Sequence, residues 1–223
     1  MGFVKGNSLA LGFGLLFVGT LVAQAFVGLH DFNAQQLAHH GDPITLWRYL
    51  RSSSFAVDVL ENWQSEYLQF TLFILGTVWL IQRGSPESKE PGKAGTESDS
   101  EQKVGEHARD DSPKWAKVGG LRTFVYSNSL LLVMGTIWLW SWAGQSVAGH
   151  IAYNDDRFEH QQEAVSYLAY LATPDFWNRT LQNWQSEFLA VGSMAVLAIY
   201  LRQRGSPESK PVGAAHSDTG IEG

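Results

Sequence analysis

The chain contains no cysteine in 223 residues. That absence excludes a disulfide framework, a thiolate metal site and a thiol nucleophile. It also leaves the redox compartment unreadable. A Gly-rich phosphate loop ending in Lys-Ser or Lys-Thr is lacking as well, and no other signature of a known reaction is present. Charge is missing from two long runs, Ser8 to Leu29 and Thr123 to Ala148. A hydrocarbon core of about 30 Å needs roughly 20 helical residues, so each run is long enough to span a bilayer.

The chain repeats itself. Asn62-Trp63-Gln64-Ser65-Glu66 returns as Asn183-Trp184-Gln185-Ser186-Glu187, and Gln82 to Lys89 returns as Gln203 to Lys210. Both repeats share one offset of 121 residues (183 − 62 and 203 − 82), which also aligns Asn7, Gly14, Gln24, Gly28, His39 and Phe55 with Asn128, Gly135, Gln145, Gly149, His160 and Phe176. The chain reads as a tandem duplication of a unit of roughly ninety residues.

Each unit carries a second apolar segment, Tyr67 to Ile81 and Phe188 to Leu201, which must borrow length from the flanking polar motifs to span. The fold expected is therefore all-α: a four-transmembrane-helix bundle made of two two-helix units. Short amphipathic helices are expected in the outer loops, at Pro43 to Leu50 and Ala164 to Leu171, lying in the headgroup region. Ser52-Ser53-Ser54 and Thr173-Pro174-Asp175 supply caps for the second helix of each unit. The ranges are 1–83 for the first unit, 84–121 for a disordered linker poor in apolar residues, 122–204 for the second unit and 205–223 for a disordered tail.

Lys and Arg cluster on one side of a four-span path, from Lys5 through Arg83, Lys103, Lys117 and Arg122 to Arg204 and Lys210. The opposite side has only Arg48, Arg51, Arg157 and Arg179. The positive-inside rule then places both termini and the linker in the cytoplasm of a multi-pass plasma-membrane protein. Two helices per unit give both units the same orientation and a parallel pseudo-twofold axis. Lys5, the apolar run and Ala23-Gln24-Ala25 also fit a cleaved secretory signal, but the run is long for one and its repeat partner is an internal span. Trp63, Trp184, Trp138 and Trp142 fall near the outer boundary, with Trp79 and Trp115 near the inner one, as an aromatic belt.

The candidate site follows from helical spacing. Asn62, Ser65, Glu66, Gln69, Phe73 and Gly76 share one stripe, with Asn183, Ser186 and Glu187 on the matching stripe of the second copy. Seventeen residues, about 25 Å, separate Arg83 from Glu66 and Asn7 from Gln24, so Glu66, Glu187, Gln24 and Gln145 lie at a similar depth just inside the outer boundary. An ionisable residue in a membrane marks a proton or cation path, or a ligand site. The bland alternative is a carboxylate wetted from the outer loop or hydrogen-bonded to a glutamine. His39 and His160 share the repeat register in the outer loops and are the weak metal candidates. In the motif Gln-Arg-Gly-Ser-Pro-Glu-Ser-Lys, Arg suits a helix C-terminus, Gly a left-handed closing position and Pro a stop.

The two motifs, set in duplicated two-helix units, resemble an uncharacterised family of bacterial multi-pass membrane proteins known only as a domain of unknown function. The resemblance covers nearly the whole chain apart from the linker; it implies a membrane location and carries no activity, ligand or site. The expected function is a small proton or cation transporter or channel using Glu66 and Glu187, positioned by Gln24, Gln145, Asn62 and Asn183. The alternatives are a non-catalytic membrane scaffold that binds a partner protein and, more weakly, a metal-dependent membrane enzyme using the outer-loop histidines. The reading leans away from an enzyme and predicts no cofactor. Its expected partners are the lipid bilayer and a second copy or another membrane protein, not nucleic acid.

Overall fold

A computed structural model of the chain describes residues 2–221; Met1 and residues 222 and 223 of the assigned tail lie outside the described residues. Among the described residues the structure is all-helical, with nine α-helices and no strand. They are α1 (Phe3–Gly6), α2 (Ser8–Ala38), α3 (Leu46–Tyr49), α4 (Ser53–Trp79), α5 (Lys114–Lys117), α6 (Gly120–Ser127), α7 (Ser129–Glu159), α8 (Tyr167–Tyr170) and α9 (Pro174–Tyr200). Two of them, α2 and α7, are long and apolar enough to cross a membrane. The others of comparable length, α4 and α9, are 27 residues each and carry Asp58, Glu61 and Glu66, and Asp175, Arg179 and Glu187, in their first halves.

The chain divides into two compact units, Met1–Leu60 with Ala143–Phe176, and Glu61–Trp142 with Trp177–Gly223.

In the first unit, positions 121 residues apart make the same bonds. Helices α2 and α7 both end on a left-handed residue, His40 (φ 63°) and Gln161 (φ 57°). The next N–H reaches back six residues inclusive in each case, Gly41 to the Gln36 carbonyl at 2.7 Å and Gln162 to the Arg157 carbonyl at 2.8 Å. This is the Schellman closure, and it satisfies carbonyls that the helix leaves open. The segment that follows is clamped by an asparagine from the helix. Asn33 Nδ2 donates to the Ile44 carbonyl at 3.0 Å and its Oδ1 accepts from the Ile44 N–H at 2.8 Å. Asn154 does the same to Val165, at 3.1 and 2.9 Å.

The clamps deliver the short helices α3 and α8 to the long ones. Each ends in a buried tyrosine, Tyr49 and Tyr170. The hydroxyls of these tyrosines lie over Gly28 and Gly149, where a Cβ would overlap them. Ser52 Oγ and Thr173 Oγ1 then accept from the N–H groups of Phe55 and Phe176, at 3.2 and 3.3 Å, capping α4 and α9 as expected.

In the second unit, the octapeptides that follow α4 and α9 fold alike. Gly84 and Gly205 are left-handed, at φ 85° and 81°. Ser88 Oγ accepts from the Gln82 N–H at 2.9 Å, and Ser209 Oγ from the Gln203 N–H at 2.9 Å. The lysine closing each motif turns inward. Lys89 Nζ donates to the Gly95 carbonyl at 2.8 Å and pairs with Glu97 at 3.1 Å. Lys210 Nζ, 1 % exposed, donates to the carbonyls of Ala215, His216 and Asp218 at 3.0 to 3.1 Å. The tail after Lys210 reaches the first octapeptide, where the Gly84 N–H donates to Thr219 Oγ1 at 2.8 Å and the Gly220 N–H to the Ser85 carbonyl at 3.0 Å.

Candidate functional site

The two Asn-Trp-Gln-Ser-Glu motifs lie in the second unit, one on α4 and one on α9. Their contact is asymmetric. Trp184 Nε1 of the second copy donates to Gln64 Oε1 of the first at 2.8 Å. Gln64 is 0 % exposed, whereas its counterpart Gln185 is exposed; Trp184 is half-buried, whereas Trp63 is exposed. The buried stripe of this stretch of α4 runs through Gln64, Ser65 and Leu68. It is rotated from the expected stripe, because Asn62 and Glu66 are exposed while Ser65 is buried. Phe73 and Gly76 are half-buried farther along α4.

The carboxylates come within electrostatic reach of each other. Glu187 is half-buried, feels the charge of Glu66 and lies within hydrogen-bond reach of the Ser65 hydroxyl. That hydroxyl has a second acceptor, the Asn62 carbonyl at 2.9 Å, so one proton serves two oxygens. The repeat counterpart, Ser186, donates to the Asn183 carbonyl at 2.8 Å.

Asn183 turns to a different carboxylate; its Nδ2 donates to Glu61 Oε1 at 2.8 Å and to the Arg179 carbonyl at 2.9 Å. Arg179 Nη1 completes the group at 3.4 Å from Glu61 Oε2. Asn62 contributes its backbone carbonyl to Ser65. Gln24 and Gln145 belong to the first unit, and Gln145 is buried with its Oε1 lacking a hydrogen-bond partner among the described residues.

Aromatic rings wall the motif. Trp138 and Trp142 stack at 6.1 Å and 10°, and Trp142 also meets Trp177 and Trp184 at 6.3 and 6.0 Å. Three polar atoms on these helices are buried with no hydrogen-bond partner among the described residues: Gln64 Nε2, Trp138 Nε1 and Thr180 Oγ1. Leaving such groups dry costs on the order of 1–3 kcal/mol each, so internal water is their natural partner.

Along the same two helices runs a cavity of 520 Å³. Its walls include Gln69, Phe73 and Gly76 of α4, Phe188 and Gly192 of α9, and Glu87 of the first octapeptide. Gln69 stands one helical turn from Glu66. At the other end of the lining Glu87 belongs to a second carboxylate pair. Glu87 and Glu208, 121 residues apart, hydrogen-bond through their carboxyls. Burial, then the hydrogen bond and charge of Glu208, push the Glu87 carboxyl up to about 7.

His39 and His160 do come together in the first unit, with ring centroids 6.0 Å apart and edge to face. Their ring nitrogens are used locally: His39 Nδ1 meets Glu159 Oε2 at 3.3 Å and His160 Nδ1 meets the Asp156 carbonyl at 2.8 Å. Among the described residues no group of three or more His, Asp or Glu side chains is arranged to hold a metal ion.

Repeat comparison finds what both copies share and passes over what one copy owns. Glu61 aligns with Gln182 and Arg179 with Asp58, so neither stands out in the sequence. Gln64 lies inside the repeated motif, which is the available signal; its burial needs Trp184 from the other copy.

A family model, described as a domain of unknown function (DUF6766), matches residues 1–221. No curated protein and no solved structure matches the chain.

Proposed function

The chain belongs to this family of unknown function along residues 1–221, and on that premise we propose that it is a four-span integral membrane protein that moves a proton or small cation. Duplicated hairpins supply the spans, and both termini lie in the cytoplasm of a plasma-membrane protein. Helices α2 and α7 are the anchors; α4 and α9 supply the other two spans, with their polar first halves toward the outer boundary. The observation that carries the reading is that Glu66 and Glu187, from two copies of one motif, lie within electrostatic reach of each other, with the Ser65 hydroxyl in reach of Glu187. Two carboxylates in a shared site compete for ionisation, so a proton or a cation between them is favoured. The buried donors Gln64 Nε2 and Thr180 Oγ1 support a hydrated interior on the same helices. The cavity from Gln69 to Glu87 supports a route onward.

The test is flux in liposomes. Purified protein under an imposed ion gradient should change the internal pH or cation content faster than empty liposomes, and a Glu66→Gln, Glu187→Gln double variant should lose most of that excess. Folded wild-type protein with no flux for protons or monovalent cations would sink the proposal.

The second reading, a scaffold subunit, is favoured by the apolar surface of α2, where Leu9, Phe13, Leu15 and Leu16 are all well exposed. Lipid covers that face in the first reading and a partner helix in the second.

A further inference from the structure

From the last residues of the range assigned to the linker up to α7 runs a small helical hairpin. Helix α5 (Lys114–Lys117) and helix α6 (Gly120–Ser127) turn about Gly119 and Gly120, both left-handed at φ 71° and 64°. Thr123 Oγ1 donates to the Trp115 carbonyl at 2.6 Å, and Thr123 and Ala116 are the buried residues of the pair. A small-residue seam of this kind brings two short helices together and turns their large side chains outward. Those side chains are apolar: Trp115 is 48 % exposed, Val118 56 %, Leu121 77 % and Phe124 64 %.

A soluble surface does not normally collect four such groups within ten residues. Interleaved with them are Lys114, Lys117 and Arg122, all exposed, and residues 114 to 126 contain no acidic side chain. Lys117 Nζ also donates to the Asp110 carbonyl at 2.6 Å, which holds the start of the hairpin against the linker.

We infer that the α5–α6 hairpin is a docking surface for the headgroup region of an anionic phospholipid leaflet, Trp115, Val118, Leu121 and Phe124 entering the acyl boundary and Lys114, Lys117 and Arg122 engaging lipid phosphates. The inference rests on the membrane reading above and adds the lipid class. Its position fits. The twenty residues Ser129 to Ala148 of α7 already cover about 30 Å, so α6, one residue before α7 begins, lies at the edge of the hydrocarbon. Aromatic and aliphatic groups beside Lys and Arg at that depth are how surface helices bind, and the attraction grows with anionic lipid and falls with salt.

The absence of cysteine makes the test direct. Single variants Leu121→Cys, Phe124→Cys, Glu106→Cys and Phe13→Cys of the full chain carry a nitroxide in liposomes of phosphatidylcholine with or without phosphatidylglycerol. Collision with oxygen and with a water-soluble nickel chelate reports depth. Labels at 121 and 124 should favour oxygen severalfold over the label at 106 when phosphatidylglycerol is present. That preference should fall toward the value at 106 in pure phosphatidylcholine, at high salt, or when Lys114, Lys117 and Arg122 are all changed to Gln. Immersion at 13 with labels at 121 and 124 as wet as 106 overturns the inference and leaves the membrane reading standing. Wet labels at all four sites overturn both. Equal immersion with and without anionic lipid overturns the charge recognition, and protection of 121 and 124 from both collision partners points to a protein covering the hairpin and overturns it too.

Discussion

Gly28 and Gly149 show how much a single absent carbon decides. Each leaves the space that the hydroxyl of a buried tyrosine on a short helix occupies. In the sequence these glycines read as small residues on an inward face, and they are; what could not be read was the partner, twenty-one residues away in each copy and brought back by the helix-end closures and the Asn33 and Asn154 clamps. Gly14, on the same expected face, has no atom from beyond its own stretch of helix backbone within 4 Å of where a Cβ would sit, so small size alone does not mark a contact. Gly28→Ala should destabilise the protein by about 1–3 kcal/mol through overpacking. Adding Tyr49→Phe should recover part of that loss, because the overlap is with the hydroxyl. Thermal unfolding of the two single variants and the double in detergent measures the coupling, and strict additivity would show that hydroxyl and glycine do not meet.

At the level of elements, the long helices and the short ones between them were legible because length and apolar content fix them: α3 and α8 fall inside the expected ranges 43–50 and 164–171. The α5–α6 hairpin was not legible, since its helices are four and eight residues long and its hydrophobes follow a Gly-Gly turn rather than a helical period. The repeated octapeptides read as helix stops in the sequence, with Gly and Pro accounted for. The roles of their Ser and Lys depend on backbone atoms six residues back or five to eight residues ahead.

A pH dependence follows for the octapeptide pair. The Glu87 carboxyl sits at about 7, above its usual 4.5, so the folded state favours the protonated form. The stability this contributes is complete below about 4.5 and is lost as pH rises through about 7. Hydrogen exchange of the Gly84–Ser88 amides, corrected for intrinsic rate, should show protection that falls between about pH 5 and pH 8, and Glu87→Gln should flatten the curve. Protection that does not vary with pH in the unaltered chain would exclude the shared proton.

For the molecule as a whole, the four-span reading makes a demand on sidedness. Asp42→Cys and Glu163→Cys lie in the two outer loops of that topology and Glu106→Cys lies in the linker. An impermeant maleimide added to right-side-out vesicles should label the first two and spare the third until the membrane is opened. Labelling of Glu106→Cys before opening would invert or break the topology. The candidate site was half legible for a reason that belongs to this scale: a repeat predicts that two copies do the same thing, and here they do complementary things. The first Asn-Trp-Gln-Ser-Glu inserts its glutamine, and the second answers with its tryptophan. The same letter therefore carries a different load in the two occurrences of one word: Gln64 is sealed by Trp184, while Gln185 stands in the open. A chain built from two like halves can keep its spelling long after its halves have ceased to be interchangeable.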